Sequence, residues 1–105
     1  MSTITTHILD ISQGRPASGV EVILYTTNCE ITRSRTNSDG RITGWDANVG
    51  PGVYTLRFET KHWYESQSIP TFYPYVEIHF EITAVAHYHI PLLISPWGYS
   101  TYRGS

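Results

Sequence analysis

Seven basic and nine acidic residues scattered over 105 positions leave a formal charge of −2, which excludes the clustered basic footprint of a nucleic-acid binder. No apolar run approaches the length of a membrane span, and the length suits one domain, residues 1–105, able to bury a core without disulfide or metal staples. The single Cys29 has no intramolecular disulfide partner, and residues 1–4 lack a basic segment leading into an apolar one, so no secretory signal is read and the cytoplasm is the expected compartment. The last residues are not a Ser-Lys-Leu-type address; the peroxisome stays open for a eukaryotic source.

The periodicity along the chain is that of strands. Residues Thr3 to Ile11 alternate, with Ile4, Thr6 and Ile8 on one face and His7, Leu9 and Ile11 on the other. Gln13-Gly14-Arg15-Pro16 reads as a turn, and Val20 to Tyr25 is β-branched and aromatic. Ile31 to Thr36 is predicted as the third strand. Asn37-Ser38-Asp39-Gly40 is a strong turn signal, with a strand predicted from Arg41 to Trp45 and another turn at residues 48–52. Val53 to Glu59 alternates, and residues 60–67 are the one predicted helix, with Thr60 as N-cap. Val76 to Thr83, His89 to Ile94 and Tyr99 to Arg103 complete the set. About eight short strands with turns every 8–12 residues predict an all-β, antiparallel two-sheet sandwich.

Strand alternation also sorts the candidate functional residues. His7 shares its face with Leu9 and Ile11; His89 shares its face with Pro91 and Leu93, while Ile90, Leu92 and Ile94 point the other way. A strand apolar on both faces needs a second cover, and another copy of the chain is the simplest one. The aromatic, ordered-looking end Tyr102-Arg103-Gly104-Ser105 suggests a tail held in a site. An imidazole titrates near neutrality and serves as a proton acceptor; a guanidinium grips planar oxygen-rich groups and stabilises developing negative charge. His7, Arg41 and the His87/His89 pair therefore suit hydrolysis of a small planar amide. Against this, His62 and His79 read as solvated, Cys29 as a small structural residue, and a lone Arg41 as an ordinary surface arginine. His87-x-His89 has zinc-ligand spacing, but no third ligand is fixed nearby, so no metal and no cofactor is assigned.

Thr6-His7-Ile8-Leu9-Asp10, Asp39-Gly40-Arg41, His89-Ile90-Pro91-Leu92-Leu93-Ile94-Ser95-Pro96 and the terminal Tyr102-Arg103-Gly104-Ser105 resemble the 5-hydroxyisourate hydrolases, the enzyme branch of the transthyretin-like proteins. The resemblance runs from about residue 4 to the end. It implies a β-sandwich with a short helix after the fifth strand, and a homotetramer, a dimer of dimers, with sites in the channel between dimers. It implies hydrolysis of the purine-derived 5-hydroxyisourate to 2-oxo-4-hydroxy-4-carboxy-5-ureidoimidazoline. On that pattern His7, Arg41 and His89 fall on catalytic positions and Tyr102, Arg103, Gly104 and Ser105 on substrate-binding ones, Ser105 together with its carboxylate. His87 matches no catalytic position. The rival expectation is a transthyretin-like carrier that binds a small aromatic ligand in the same channel.

Overall fold

The alternation of the first segment becomes strand β1 (Ser2–Asp10), in which every second residue from Ser2 to Asp10 is buried and Thr5, His7 and Leu9 are only half-covered on the opposite face. A computed structural model describes all residues, 1–105. The remaining elements are β2 (Arg15–Pro16), β3 (Glu21–Thr26), β4 (Cys29–Arg35), β5 (Asn48–Val49), β6 (Gly52–Phe58), α1 (Thr60–Glu65), β7 (Val76–Ile82), β8 (His87–Ser95) and β9 (Gly98–Thr101).

Two sheets face each other. One runs β2-β1-β8-β9 with β5 added at the start of β1; the other runs β4-β3-β6-β7. Their inner faces meet in a core that includes Ile4, Ile8, Leu24, Leu56, Phe58, Leu92 and Ile94, which is the β-sandwich expected from the alternation. Burying these side chains is the main stabilising term, at about 1.5–3 kcal/mol for each large one. The floor of β1 is closed by Asp10, fully buried and saturated with donors: Ser12 N at 2.9 Å, Ser12 Oγ at 2.5 Å, Gln13 N at 3.2 Å and Gln13 Nε2 at 2.7 Å.

Four expectations need correction. The sheets are not wholly antiparallel: β1 and β8 pair in parallel from Thr3↔His87 to Asp10↔Ile94. A parallel pair needs a long crossover, and here all four strands of the second sheet intervene between the two strands. Residues 41–45 form no strand; only Arg41 bridges, to His7, because Gly40 and Gly44 both sit at φ 75° and turn the chain. Conversely, two segments read as turns each contain a two-residue strand, β2 and β5, paired with β1. The helix stops at Glu65, its N-cap is Glu59 with no side-chain cap, and Thr60 lies inside the first turn with its Oγ1 buried and unpartnered.

Candidate active site

Period-2 alternation places Thr3, Thr5, His7 and Leu9 of β1 on the face that turns away from the core. The parallel register sets His87 opposite Thr3, His89 opposite Thr5, Pro91 opposite His7 and Leu93 opposite Leu9. Adjacent parallel strands thus bring both sequence-predicted histidine positions onto one surface, one rung apart.

Arg41 reaches the same surface through a turn. Asn37 Oδ1 accepts from Asp39 N at 2.9 Å and Arg41 N at 3.1 Å, and Asn37 N donates to the Arg41 carbonyl at 2.7 Å. Gly40 then lies directly against β1: Ile8 N donates to its carbonyl at 2.8 Å, and a Cβ at Gly40 would collide with the Ile8 carbonyl oxygen. Only glycine tolerates both that approach and φ 75°. The Asp39-Gly40-Arg41 sequence is therefore the device that docks an exposed arginine beside His7.

The tail arrives from the other side. Strand β9 follows β8 antiparallel as far as Thr101, whose Oγ1 donates to the Pro91 carbonyl at 2.7 Å. Gly104 then bridges His89, its N–H donating to the His89 carbonyl at 2.8 Å. Gly104 lies flat on the imidazole: a Cβ there would stand 2.5 Å from His89 Cδ2. Alternation sends Tyr102 and Gly104 one way and Arg103 the other. Tyr102, Gly104 and Ser105 line a cavity of about 510 Å³ together with Thr5, Arg41, His87 and His89. Arg103 instead stacks its guanidinium 4.5 Å from the centroid of the Tyr88 ring, beside an apolar slot of about 260 Å³ bounded by Ile78, Phe80 and Ile90. Of the four tail residues expected at the substrate, Arg103 thus faces away from the cavity in the protomer. His7 flanks the cavity rather than lining it, half-buried, bridged to Arg41 and opposite Pro91.

The electrostatics of this surface are one-sided. Burial lowers the pKa of His89 below its ordinary 6.5, and the neighbouring Arg41, His7 and His87 charges push in the same direction. His89 is therefore a neutral imidazole at physiological pH, ready to accept a proton, beside a fixed cation that attracts anionic oxygen. His62 and His79 are exposed and lie elsewhere, His79 bonded to Thr55 on the outer face of the other sheet. No cluster of three or more His, Cys, Asp or Glu side chains is gathered to hold a metal ion.

Sequence reasoning missed two groups. Thr5 Oγ1 lies 2.8 Å from His89 Nδ1 and 3.0 Å from His87 Nε2, and Thr3 Oγ1 lies 2.7 Å from His87 Nδ1. Stepping back by twos from His7 would have put both threonines on the histidine face. Tyr88, the partner of Arg103, carried no signal beyond its place on the core side of β8.

The sequence profile described as the HIUase/Transthyretin family matches residues 4–104. The chain is 46% identical to a probable 5-hydroxyisourate hydrolase of Schizosaccharomyces pombe, over 97% of this chain and 90% of that protein. Among solved structures it is similar to Klebsiella pneumoniae 5-hydroxyisourate hydrolase, with a TM-score of 0.93 and 42% identity over 100% of this chain and 94% of that one. It is also similar to sea bream transthyretin solved in complex with thyroxine, with a TM-score of 0.88 and 27% identity over 96% of this chain and 93% of that one.

Proposed function

The chain belongs to the HIUase/Transthyretin family, and we propose that within it this protein is an enzyme that hydrolyses 5-hydroxyisourate to 2-oxo-4-hydroxy-4-carboxy-5-ureidoimidazoline. One observation carries the reading: a cation, a neutral imidazole held below its ordinary pKa and the ordered tail converge on one cavity of about 510 Å³.

The chemistry follows from those groups. His89 takes a proton from water at its second ring nitrogen, since Nδ1 is engaged by Thr5. The hydroxide equivalent adds to a ring carbonyl of the substrate, and the oxyanion that develops is stabilised by Arg41, always charged and able to bind two oxygens at once. As the C–N bond breaks, the leaving ring nitrogen receives a proton from the imidazolium. Water is thereby divided between the new carboxyl group and the ureido nitrogen. His7 completes the imidazole pair, adjacent to Arg41, and relays protons on that side. Tyr102, Gly104 and Ser105 fix the substrate ring against the two strands; Gly104, lying on the imidazole, sets the distance between tail and base.

We further propose a homotetramer, a dimer of dimers. Leu9 and Leu93 are only half-covered in the isolated protomer, on the same surface as the catalytic groups. A partner laid over that surface would bury them and close the open side of the cavity. Edge strands β7 and β9 end their sheets with unpaired backbone groups, which favours strand addition between copies.

A carrier that binds a small aromatic ligand is the competing reading, and a carrier has no use for a neutral imidazole facing an arginine. Following the ultraviolet decay of 5-hydroxyisourate, made in the cuvette by urate oxidase, distinguishes them. Acceleration proportional to added protein supports the hydrolase; decay at the spontaneous rate supports the carrier.

A further inference from the structure

The reaction as drawn puts a positive charge on His89, where burial and Arg41 both oppose it. The structure offers that charge a way out. Thr5 Oγ1 stands between two imidazole nitrogens, 2.8 Å from His89 Nδ1 and 3.0 Å from His87 Nε2. The arrangement is dictated by backbone register, since Thr5 is directly opposite His89 and Thr3 directly opposite His87 in a parallel ladder. We propose that Thr5 couples His87 to His89 as a hydroxyl-bridged pair, so that His87 is a positioning residue that fixes the tautomer of the base and shares its proton.

A hydroxyl has one proton, so it donates to one nitrogen and accepts from the other. The two rings therefore cannot choose tautomers independently. In one polarity His89 carries its proton on Nδ1, donates it to Thr5 Oγ1, and presents a bare Nε2; Thr5 then donates to His87 Nε2, and His87 Nδ1–H donates to Thr3 Oγ1, 2.7 Å away. Only this polarity makes His89 a base at Nε2. When Nε2 accepts a proton from water, the Nδ1 proton passes to Thr5 and the Thr5 proton to His87 Nε2. His87 then holds both ring protons and the positive charge, and His89 is neutral again with its proton now on Nε2. When the leaving nitrogen takes that proton, the chain runs backwards and the starting state returns, with no net gain or loss.

The destination is better suited to charge than the origin. His87 is exposed, whereas His89 is half-buried. The charged and titratable groups packed around His89 are His7 on β1, Arg41 from the turn after β4, His87 on its own strand, and Tyr102 and Arg103 from the tail, with Arg103 turned away onto Tyr88. Burial and the Arg41 guanidinium oppose a proton on His89, so moving the charge outward along the threonine to the exposed His87 relieves both.

The mechanistic part rests on the hydrolase reading, and a readout that needs no substrate separates the two. In ¹⁵N NMR of the full-length protein, neutral His89 should appear as the Nδ1–H tautomer, the reverse of the usual imidazole preference. Thr5→Val, which keeps the β-branched shape and removes the hydroxyl, should return it to Nε2–H and lower kcat for 5-hydroxyisourate about tenfold or more with KM little changed, within the span of a proton-transfer contribution. Thr5→Ser should restore both tautomer and rate. His87→Gln can accept from Thr5 but cannot take up a proton; it should keep the Nδ1–H tautomer and still lose kcat. An Nε2–H tautomer in the unsubstituted protein overturns the bridge. Full kcat in either Thr5→Val or His87→Gln overturns the shared proton, and failure of the unsubstituted protein to hydrolyse the substrate overturns the hydrolase reading and the shared proton while the tautomer still decides the bridge. Should Thr5→Val not fold, the tautomer of the unsubstituted protein and the His87→Gln rate decide the matter alone.

Discussion

His89 is shaped by its neighbours more than by its own chemistry. Its pKa lies below 6.5 because burial disfavours the charged ring, and the neighbouring Arg41, His7 and His87 act in the same direction. Two outcomes follow. The acidic limb of kcat/KM should fall below pH 6.5, since the base stays neutral to lower pH than a free imidazole does. For folding the sign is the opposite of a salt-bridged histidine: the unfolded chain binds the proton first, so the group removes stability as pH drops from 6.5 through the folded pKa. Chemical denaturation as a function of pH should show that loss, and His89→Asn should reduce it. Gly104 gives a sharper steric test. Its backbone suits alanine, but the added methyl carbon would press on His89 Cδ2 at 2.5 Å and Cγ at 3.2 Å, so the ring must shift. Gly104→Ala should keep the melting temperature within a few degrees and lower kcat about a hundredfold, the scale of a 1 Å misplacement. At this scale the sequence was informative where alternation applies. His7, Leu9, His89, Pro91 and Leu93 stand on the outward face as read. It was silent on Thr5 and on the direction of Arg103, because a hydroxyl between two rings depends on which strands are neighbours, and the tail's alternation depends on where β9 ends.

Among elements, β1 organises the site. It pairs with β2, β5 and β8, receives the Gly40 turn, and ends at the buried Asp10 carboxylate. Asp10→Ala leaves the Ser12 and Gln13 donors without their acceptor and should cost about 2 kcal/mol or more in urea unfolding, with kcat lost only as folded protein is lost. The tail is the converse case. Removing residues 102–105 forfeits one backbone hydrogen bond and the Arg103–Tyr88 stack, together about 1–2 kcal/mol, yet it strips Tyr102, Gly104 and Ser105 from the cavity. A truncated protein should therefore fold and assemble while losing nearly all hydrolysis; full activity would make the tail dispensable. The parallel β1–β8 pair was the least legible element. Residue patterns define faces and turns locally, but strand direction across the intervening residues 11–86 is set by how the two sheets close on each other, and nothing within either strand encodes it.

For the whole molecule, the same outward surface carries both the proposed catalytic groups and the half-covered Leu9 and Leu93, so assembly and catalysis should stand or fall together. Light scattering at micromolar concentration should report a tetramer of the 11.9 kDa chain, and Leu93→Arg, which places a charge on that surface without entering the core, should shift the protein to smaller species and lower activity in parallel. A stable monomer with full activity would remove the channel from the account. The central claim is that this surface hydrolyses 5-hydroxyisourate through His89, and the most direct measurement is the ultraviolet decay of freshly generated 5-hydroxyisourate with the unsubstituted protein, His89→Asn and, as control, the solvent-exposed His79→Asn. The account predicts strong acceleration by the unsubstituted protein and by His79→Asn, and a loss of about two or more orders of magnitude for His89→Asn; no acceleration by the unsubstituted protein, or full activity in His89→Asn, would contradict it.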